Sequence, residues 1–435
     1  MKKSSVLAGF VTSSLVLFGC QPKKTQDNNL RTENITEIDG KISKISVDEL
    51  FEAVNSNNLE KVREFVEKGI DVNAQNKDGL TALSFAVYFR HEKIVKYLVE
   101  HGADVDKVNK KGWSPLFAAV LYGHEKIVKY LVEHGADVNK TNDGRFIPLH
   151  MSIFYNREKI VKYLVEHGAD INKADNDGFT PLVIAADSGY EKIVKYLIER
   201  GADINNEVDN DGPLHKAVVH NHESIVKYLV EHGADINKAN NRGETPLDYA
   251  AFKGYGNIVK YLVECGADVN KANNNGFTPL LSAVLNKHEN IVKYLVKHGA
   301  DVNKADNDGI TPLFFAVNKG FEKIVECLVE NGADVNKANN NGSTPLFIGV
   351  MRNHGNIVKY LIEHGADVNK VNNRGFTPLM FAISNEQEKI VDYLVKHGAD
   401  VNKSDNKGFI TPLGIAIDSK NKNIEKYLIM HGAKR

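Results

Sequence analysis

One phrase limits what this chain can fold into more than any other feature. It is IVKYLVEHGADVNK, residues 127–140, and it returns with small changes along nearly the whole sequence. IVKYL occurs eight times, first at 94–98 and last at 357–361, and GAD occurs ten times. The GAD glycines are Gly102, Gly135, Gly168, Gly201, Gly233, Gly266, Gly299, Gly332, Gly365 and Gly398. Their steps are 33 residues, except one of 32 between Gly201 and Gly233. Gly69 extends the series backward by 33, and Gly432 extends it forward by 34. A fixed period of this size means one supersecondary unit stacked many times, each copy burying its apolar face on its neighbours. Length alone would suggest roughly two or three domains. The period replaces that expectation with one elongated repeat body over residues 46–435.

Residues 175–205 show the unit as a physical object. Asp177-Gly178 is a tight-turn signal. Thr180 can cap a helix, and Pro181 suits the first helical position, where no N–H is needed. Leu182, Ala185 and Ala186 form the inward face, and Gly189 ends the helix in left-handed geometry. A second helix runs from Glu191 to about Arg200 with Ile193, Val194, Leu197 and Ile198 as its apolar stripe. Gly201 stops it, and Ala202-Asp203-Ile204-Asn205 leads back to the next turn. At the start of the series, Ser46-Val47-Asp48-Glu49 matches a capping box, with Leu50, Phe51 and Val54 following at helical spacing.

The DG turn, TPL, the paired alanines, the glycine between helices, IV–L and GAD(V/I)N together resemble the ankyrin repeat. The resemblance covers about residues 46–433 in twelve units. It implies an all-α solenoid of helix-turn-helix units joined by short β-hairpin-like turns, and noncatalytic protein binding as the work. Several positions depart from the pattern. The family's histidine after TPL survives as His150 and His215, and is replaced elsewhere by residues such as Phe117, Phe314, Phe347 and Met380. Leu80-Thr81-Ala82-Leu83 lacks the proline. Arg145 takes the turn-glycine position with Gly144 one place early, Gly212-Pro213 lacks two intervening residues, and Phe409-Ile410 contains one extra. These breaks predict distorted hairpins in repeats four, six and twelve. Lys420, Lys422 and Lys426 make the closing repeat more polar, while Ile417, Tyr427 and Leu428 are expected to pack.

The first 45 residues have a different character. Lys2 and Lys3 precede a mostly apolar run from Val6 to Phe18, too short to span a membrane comfortably. It ends in Leu17-Phe18-Gly19-Cys20, which resembles the lipobox of bacterial lipoprotein signal peptides. That resemblance implies a signal at 1–19, cleavage before Cys20, a lipid on its sulfur and a place in the bacterial cell envelope. Phe18 departs from the usual small residue. Residues 20–45 hold too few large apolar groups to fold alone and read as a tether.

Net charge is -1, so no basic excess drives phosphate binding, and nucleic acid is not an expected partner. Cys265 and Cys327 occupy different columns of the repeat. Stacked helices stand about 8–10 Å apart, and a disulfide needs Cα atoms within about 7 Å, so the two are expected to be free thiols. The sequence holds no Walker loop, GxSxG elbow, HExxH or CxxC pair. Its acids recur with the period, as turn and surface residues do. No enzyme and no cofactor are therefore expected.

Eight histidines, from His101 to His431, precede stopping glycines in one column. They suit helix ends. A metal ladder would need its ligands within about 2.0–2.3 Å of one ion, which repeats about 8–10 Å apart do not give. Recognition is expected where repeats differ. Leu80, Trp113, Phe146, Phe179, Phe277, Ile310 and Phe376 precede the first-helix caps, either as an exposed contact strip or packed on neighbouring hairpins. At the ends of three consecutive first helices, Tyr88-Phe89, Leu121-Tyr122 and Phe154-Tyr155 are bulky, where Asp187-Ser188, Asn318-Lys319 and Ser384-Asn385 are polar. Trp113, Leu121, Tyr122, Phe146, Phe154, Tyr155, Tyr88 and Phe89 are thus the candidate contacts for a protein partner on the concave face that the resemblance implies. The alternative is an envelope protein that uses its histidines and aromatics to bind a small ligand or a metal.

Overall fold

A computed structural model describes residues 46–143, 145–206 and 211–434. The apolar run, Cys20 and the tether lie outside the described residues. Every named element among them is a helix, and the helices come as twelve short pairs. The chain divides into two compact units, one ending at Lys110 and the other beginning at Lys111.

The first unit holds the pairs Val47–Asn55 with Leu59–Glu67, and Ala82–Tyr88 with Glu92–Glu100. The expected capping box opens it: the Glu49 amide donates to Ser46 Oγ at 3.3 Å, and the Ser46 amide donates to Glu49 Oε2 at 2.9 Å. Thr81 caps the third helix without help from a proline. Asn73 ties the two repeats together. Its Nδ2 donates to the Gly102 carbonyl at 3.0 Å, and its Oδ1 accepts the Asp104 amide at 2.7 Å.

The second unit holds ten pairs, from Pro115–Tyr122 with Glu125–Glu133 to Pro412–Asp418 with Lys422–Met430. Proline occupies the first turn of each first helix, as expected from its fixed φ. Ser114 and seven threonines cap these helices through their hydroxyl oxygens, at 3.1–3.4 Å from the accepted amide. Each such cap contributes about 1 kcal/mol. The Ile, Val and Leu of the repeated phrase are buried, for example Ile160, Val161 and Leu164. Each stabilises by about 1.5–3 kcal/mol relative to exposure. Gly189 ends its helix at φ 80°, as the sequence predicts.

The asparagine that closes each GADVN continues the link seen in the first unit. Asn139 donates to the Gly168 carbonyl at 3.0 Å and accepts the Asp170 amide at 2.8 Å. Asn270, Asn303, Asn336 and Asn369 do the same one repeat further on. Asn205 does so across the shortened step, reaching Gly233 and Asp235.

A second ladder joins the hairpin tips from repeat seven onward. Asn274, Asn307, Asn340, Asn373 and Asn406 each donate from Nδ2 to a main-chain carbonyl of the preceding tip, at 2.8–3.0 Å. Backbone amides of 274, 307, 340 and 373 bond the preceding tip as well, at 2.9–3.2 Å. The approach is close enough to require glycine. Gly309 sits at φ 76°, and a Cβ there would lie 2.6 Å from Asn340 Oδ1 and 2.8 Å from its amide nitrogen.

The predicted irregularities appear where described. In repeat four, Asn142 bridges to Phe146, Asp143 adopts φ 43°, and Arg145 turns to Asp177 at 2.5 Å. Gly144 and residues 207–210 lie outside the described residues, and with them the expected irregularity of repeat six. In repeat twelve the extra residue is absorbed by Asp405, whose Oδ1 accepts both the Phe409 and Ile410 amides at 2.9 Å. Phe409 is left 84% exposed.

The closing repeat corrects one expectation and supports another. Leu428 is buried, and Glu425 takes the column held by valine in the repeats before it. Ile417 is 43% exposed, whereas its equivalents Val120, Ile153, Val284, Val317 and Val350 are fully buried. In those repeats the following unit covers the position.

Candidate interaction surface

The bulky ends of the first helices come to lie in two settings. In the first unit, Phe85, Tyr88, Phe89 and His91 form a chain of rings. Phe85 and Phe89 meet edge to face at 5.1 Å, Tyr88 and Phe89 at 4.8 Å, and Phe89 stacks on His91 at 5.7 Å. Tyr88 is half-buried, and Phe89 is 37% exposed. In the second unit, half-buried Tyr122 stacks on His124 at 6.0 Å, and half-buried Phe154 meets Phe146 edge-on at 5.7 Å. Tyr155 is also half-buried, and this burial raises the pKa of its phenol.

Three of the expected contact residues do not reach the surface. Trp113 is 8% exposed and packs on Phe117 at 5.5 Å. Phe146 is 1% exposed, with the Arg145 guanidinium 4.9 Å from its ring centre and Phe154 at its edge. Leu121 is 5% exposed. Trp113 and Phe146, which precede the helix caps, are buried, as is Leu121 in its helix, which leaves Tyr88, Phe89, Tyr122, Phe154 and Tyr155 as the accessible members of the expected set.

The histidine column has a geometric account. In all eight cases Nδ1 donates to the carbonyl of the tyrosine or its equivalent four residues earlier, at 2.7–2.8 Å. The imidazole also lies over that tyrosine ring, with centres 3.9–4.2 Å apart. The carbonyl belongs to the last turn of the helix and already accepts the histidine's own amide at 3.1–3.2 Å, so the ring supplies it with a second donor at the helix end. Among the described residues no group of three or more His, Cys, Asp or Glu is arranged to hold a metal. Cys265 is an exposed free thiol and Cys327 a buried one.

A second set of histidines precedes the second helices, and sequence reasoning passed over it. His222 Nε2 donates to the Asp187 carbonyl at 3.3 Å, and His288 Nε2 to the Phe252 carbonyl at 3.1 Å. Gln387 in the same column reaches Val350 at 2.9 Å. Each closes the end of the preceding repeat's first helix. The signal was available, because these residues stand three places before the Ile of IVKYL and its variants.

The least regular chemistry lies in the third residue of the first helices, which faces the following repeat. Phe117, Leu281, Phe314, Phe347 and Met380 are apolar and buried there. His150 is fully buried instead. Its Nδ1 accepts the Ile147 amide at 3.2 Å, and its Nε2 donates to the Lys173 carbonyl at 2.9 Å. The ring thus satisfies the amide of Ile147 itself, while the hydroxyl bond to the third amide made in other repeats is missing here. Burial pushes its pKa down to about 4. His215 bonds the Glu244 carbonyl at 3.1 Å, and burial lowers its pKa too. Asp248 is 3% exposed. It accepts from Asn273 Nδ2 at 3.1 Å and from the Ser282 hydroxyl, and burial pushes its pKa up to about 6. On the neighbouring surface, His220 pairs with Asp187 at 2.9 Å. Asp248 escaped notice because one acid among apolar residues and histidines shows only when the repeats are aligned on their prolines.

Comparison with known families follows this geometry closely. A family model for ankyrin repeats in three copies matches residues 50–142, 141–208, 205–273, 304–372, 333–405 and 369–434. A second, for many copies, matches 257–296. A search of curated proteins finds no match.

Proposed function

This chain belongs to the ankyrin-repeat family, and we propose from that premise that it is a noncatalytic scaffold, lipid-anchored through Cys20 on the bacterial cell envelope, that binds protein partners through the ends of its first helices. Ankyrin repeats suggest protein–protein interaction, and proteins built from them are generally noncatalytic. The observation that carries the proposed site is the run of accessible aromatic groups at Tyr122, Phe154 and Tyr155 in the second unit; Tyr88 and Phe89 form an accessible group of their own in the first. The corresponding positions in later repeats are mostly polar. Aromatic side chains supply large contact area at little conformational cost and dominate protein interfaces. Phe146 backs Phe154 edge-on, and Trp113 and Leu121 are buried and contribute as packing. The histidine column does not favour metal binding, since each ring is committed to its own helix end.

The test is partner capture from envelope extracts with wild-type protein and the double variant Tyr122→Ala, Tyr155→Ala. The variant is expected to keep its helical circular dichroism and to retain less than about one-tenth of the captured partner, the loss of a single interface hot spot of roughly 2 kcal/mol. Equal capture by both proteins sinks the site. Metabolic lipid labelling of wild type beside Cys20→Ser tests the anchor separately, and label retained by the variant rejects it.

A further inference from the structure

Both ring nitrogens of His150 are committed, and in opposite senses. Nδ1 is an acceptor for the Ile147 amide, and Nε2–H is a donor to the Lys173 carbonyl of the next repeat. A second ring proton can only go to Nδ1, where it would point at the Ile147 N–H. Two donors would then face each other at a buried site with no room for water between them, which costs the full loss of a buried hydrogen bond. The charged groups facing the ring are Asp170 and Lys173 from the loop of repeat five, of opposite sign. On its own hairpin, Arg145 is drawn away to Asp177. Beyond the ring, Asp175 is occupied with the Asp177 and Phe179 amides.

His215, at the junction of repeats six and seven, shares the Nε2 half of this arrangement: it donates to the Glu244 carbonyl of the next hairpin, with Asp211 and Lys216 beside it on its own segment. Asp248, at the junction of repeats seven and eight, differs in kind. Its oxygens accept from Asn273 and Ser282, with Glu244 the nearest like charge. A proton on this carboxyl removes one acceptor, but the Ser282 hydroxyl can turn and accept in return. The junction keeps its contacts and sheds a buried charge.

We infer that repeats four to eight form an acid-responsive joint: a proton on His150 opens the junction that this histidine closes, while a proton on Asp248 tightens the junction of repeats seven and eight. The joint is a property of the repeat body and does not depend on the partner-binding role. The signs follow from linkage. His150 holds its proton less well folded than unfolded, so its junction is fully stable above about 6.5, the ordinary histidine value, and weakens as pH falls from there toward 4. Asp248 holds its proton better folded, so the stability it gives is complete below 3.8 and is lost as pH rises through about 6. Repeats nine to eleven, with Phe314, Phe347 and Met380 at the same position, supply an internal reference without either group.

Hydrogen exchange of the full chain between pH 7.5 and 5.5, read peptide by peptide against residues 345–396, tests the joint. Opening of 148–166 is expected to rise, relative to that reference, by up to about tenfold per pH unit below 6.5, the limit for one proton. His150→Gln keeps a donor for Lys173 and cannot titrate, so its 148–166 peptides are expected to stay level with the reference at every pH. His150→Phe, which places in this column the residue already present at Phe117 and Phe314, is expected to do the same and covers the case in which the glutamine packs poorly. A rise in either variant equal to wild type, or a wild-type rise shared by the reference peptides, overturns the proposal.

Discussion

Within the second unit, the hairpin tips at 240–408 and those at 141–213 solve one problem in two ways. Both must hold neighbouring repeats in register beyond what the helical core provides. The later tips do it with groups that never titrate: asparagine amides and main-chain N–H groups bonded to the tip before. The earlier ones lack that ladder among the described residues: Arg145 pairs with Asp177 at the tips, and the same junctions add ionisable groups on the first helices, His150 with the Lys173 carbonyl and His220 with Asp187. The same core supports both. What differs is whether a junction is indifferent to solvent conditions or answers to them.

The sharpest way to break this contrast is to damage the ladder. Gly309→Ala meets both a left-handed backbone and the crowded approach to Asn340, so it is expected to destabilise by about 2–4 kcal/mol. Gly168→Ala has φ 87° but open space around it, and is expected to lose only about 1 kcal/mol. Urea titrations followed by circular dichroism compare them. Equal losses would mean that the tips are not held closely.

Asp248→Asn probes the ionisable side with a smaller effect and the opposite sign. The carboxyl is lifted from 3.8 to about 6, which bounds its cost at neutral pH at about 3 kcal/mol. The amide can serve both neighbours, so a gain of about 1–2 kcal/mol is expected at pH 7.5. The gain should shrink as pH falls through 6 and vanish near 4. Thermal melts of the two proteins in parallel across this range read the difference. A gain independent of pH would assign it to packing instead.

Arg145→Ala is expected to change least, by less than about 1 kcal/mol, because its ion pair is open to solvent on both sides. Its melting point in low and high salt checks this. A large loss would make the bond to Asp177 a main support of repeat four.

Much of this architecture can be read directly from the sequence, for a physical reason. Pro181, Gly189, Ile193, Val194 and Gly201 each have a local conformational role, and the period repeats that evidence until chance is excluded. The places of the irregular hairpins in repeats four and twelve were equally visible at Arg145 and Phe409. Burial of Trp113 and Phe146 was not, because the exposure of a hairpin residue is set by its stacked neighbour, which its own spacing does not describe. The role of Asn303 was hidden in the same way. Its partners, Gly332 and Asp334, lie one repeat away and carry no mark in the sequence beyond the recurrence itself. Asp248 and the histidines before the second helices were legible only as columns across repeats.

The asparagine that links each repeat to the next has a consequence for ancestry. At most junctions it recognises the same two main-chain groups, at Asn172 and Asn237 it keeps the amide of the next repeat, and at Asn205 it makes both bonds although one residue is missing from the intervening chain. A repeat removed or duplicated in frame would leave both flanking junctions with a complete plug and socket. Such changes are readily made between near-identical stretches of coding sequence. Copy number can then drift without a misfolded intermediate, and natural relatives of this chain should differ in length by whole units near 33 residues more often than by fractions of one.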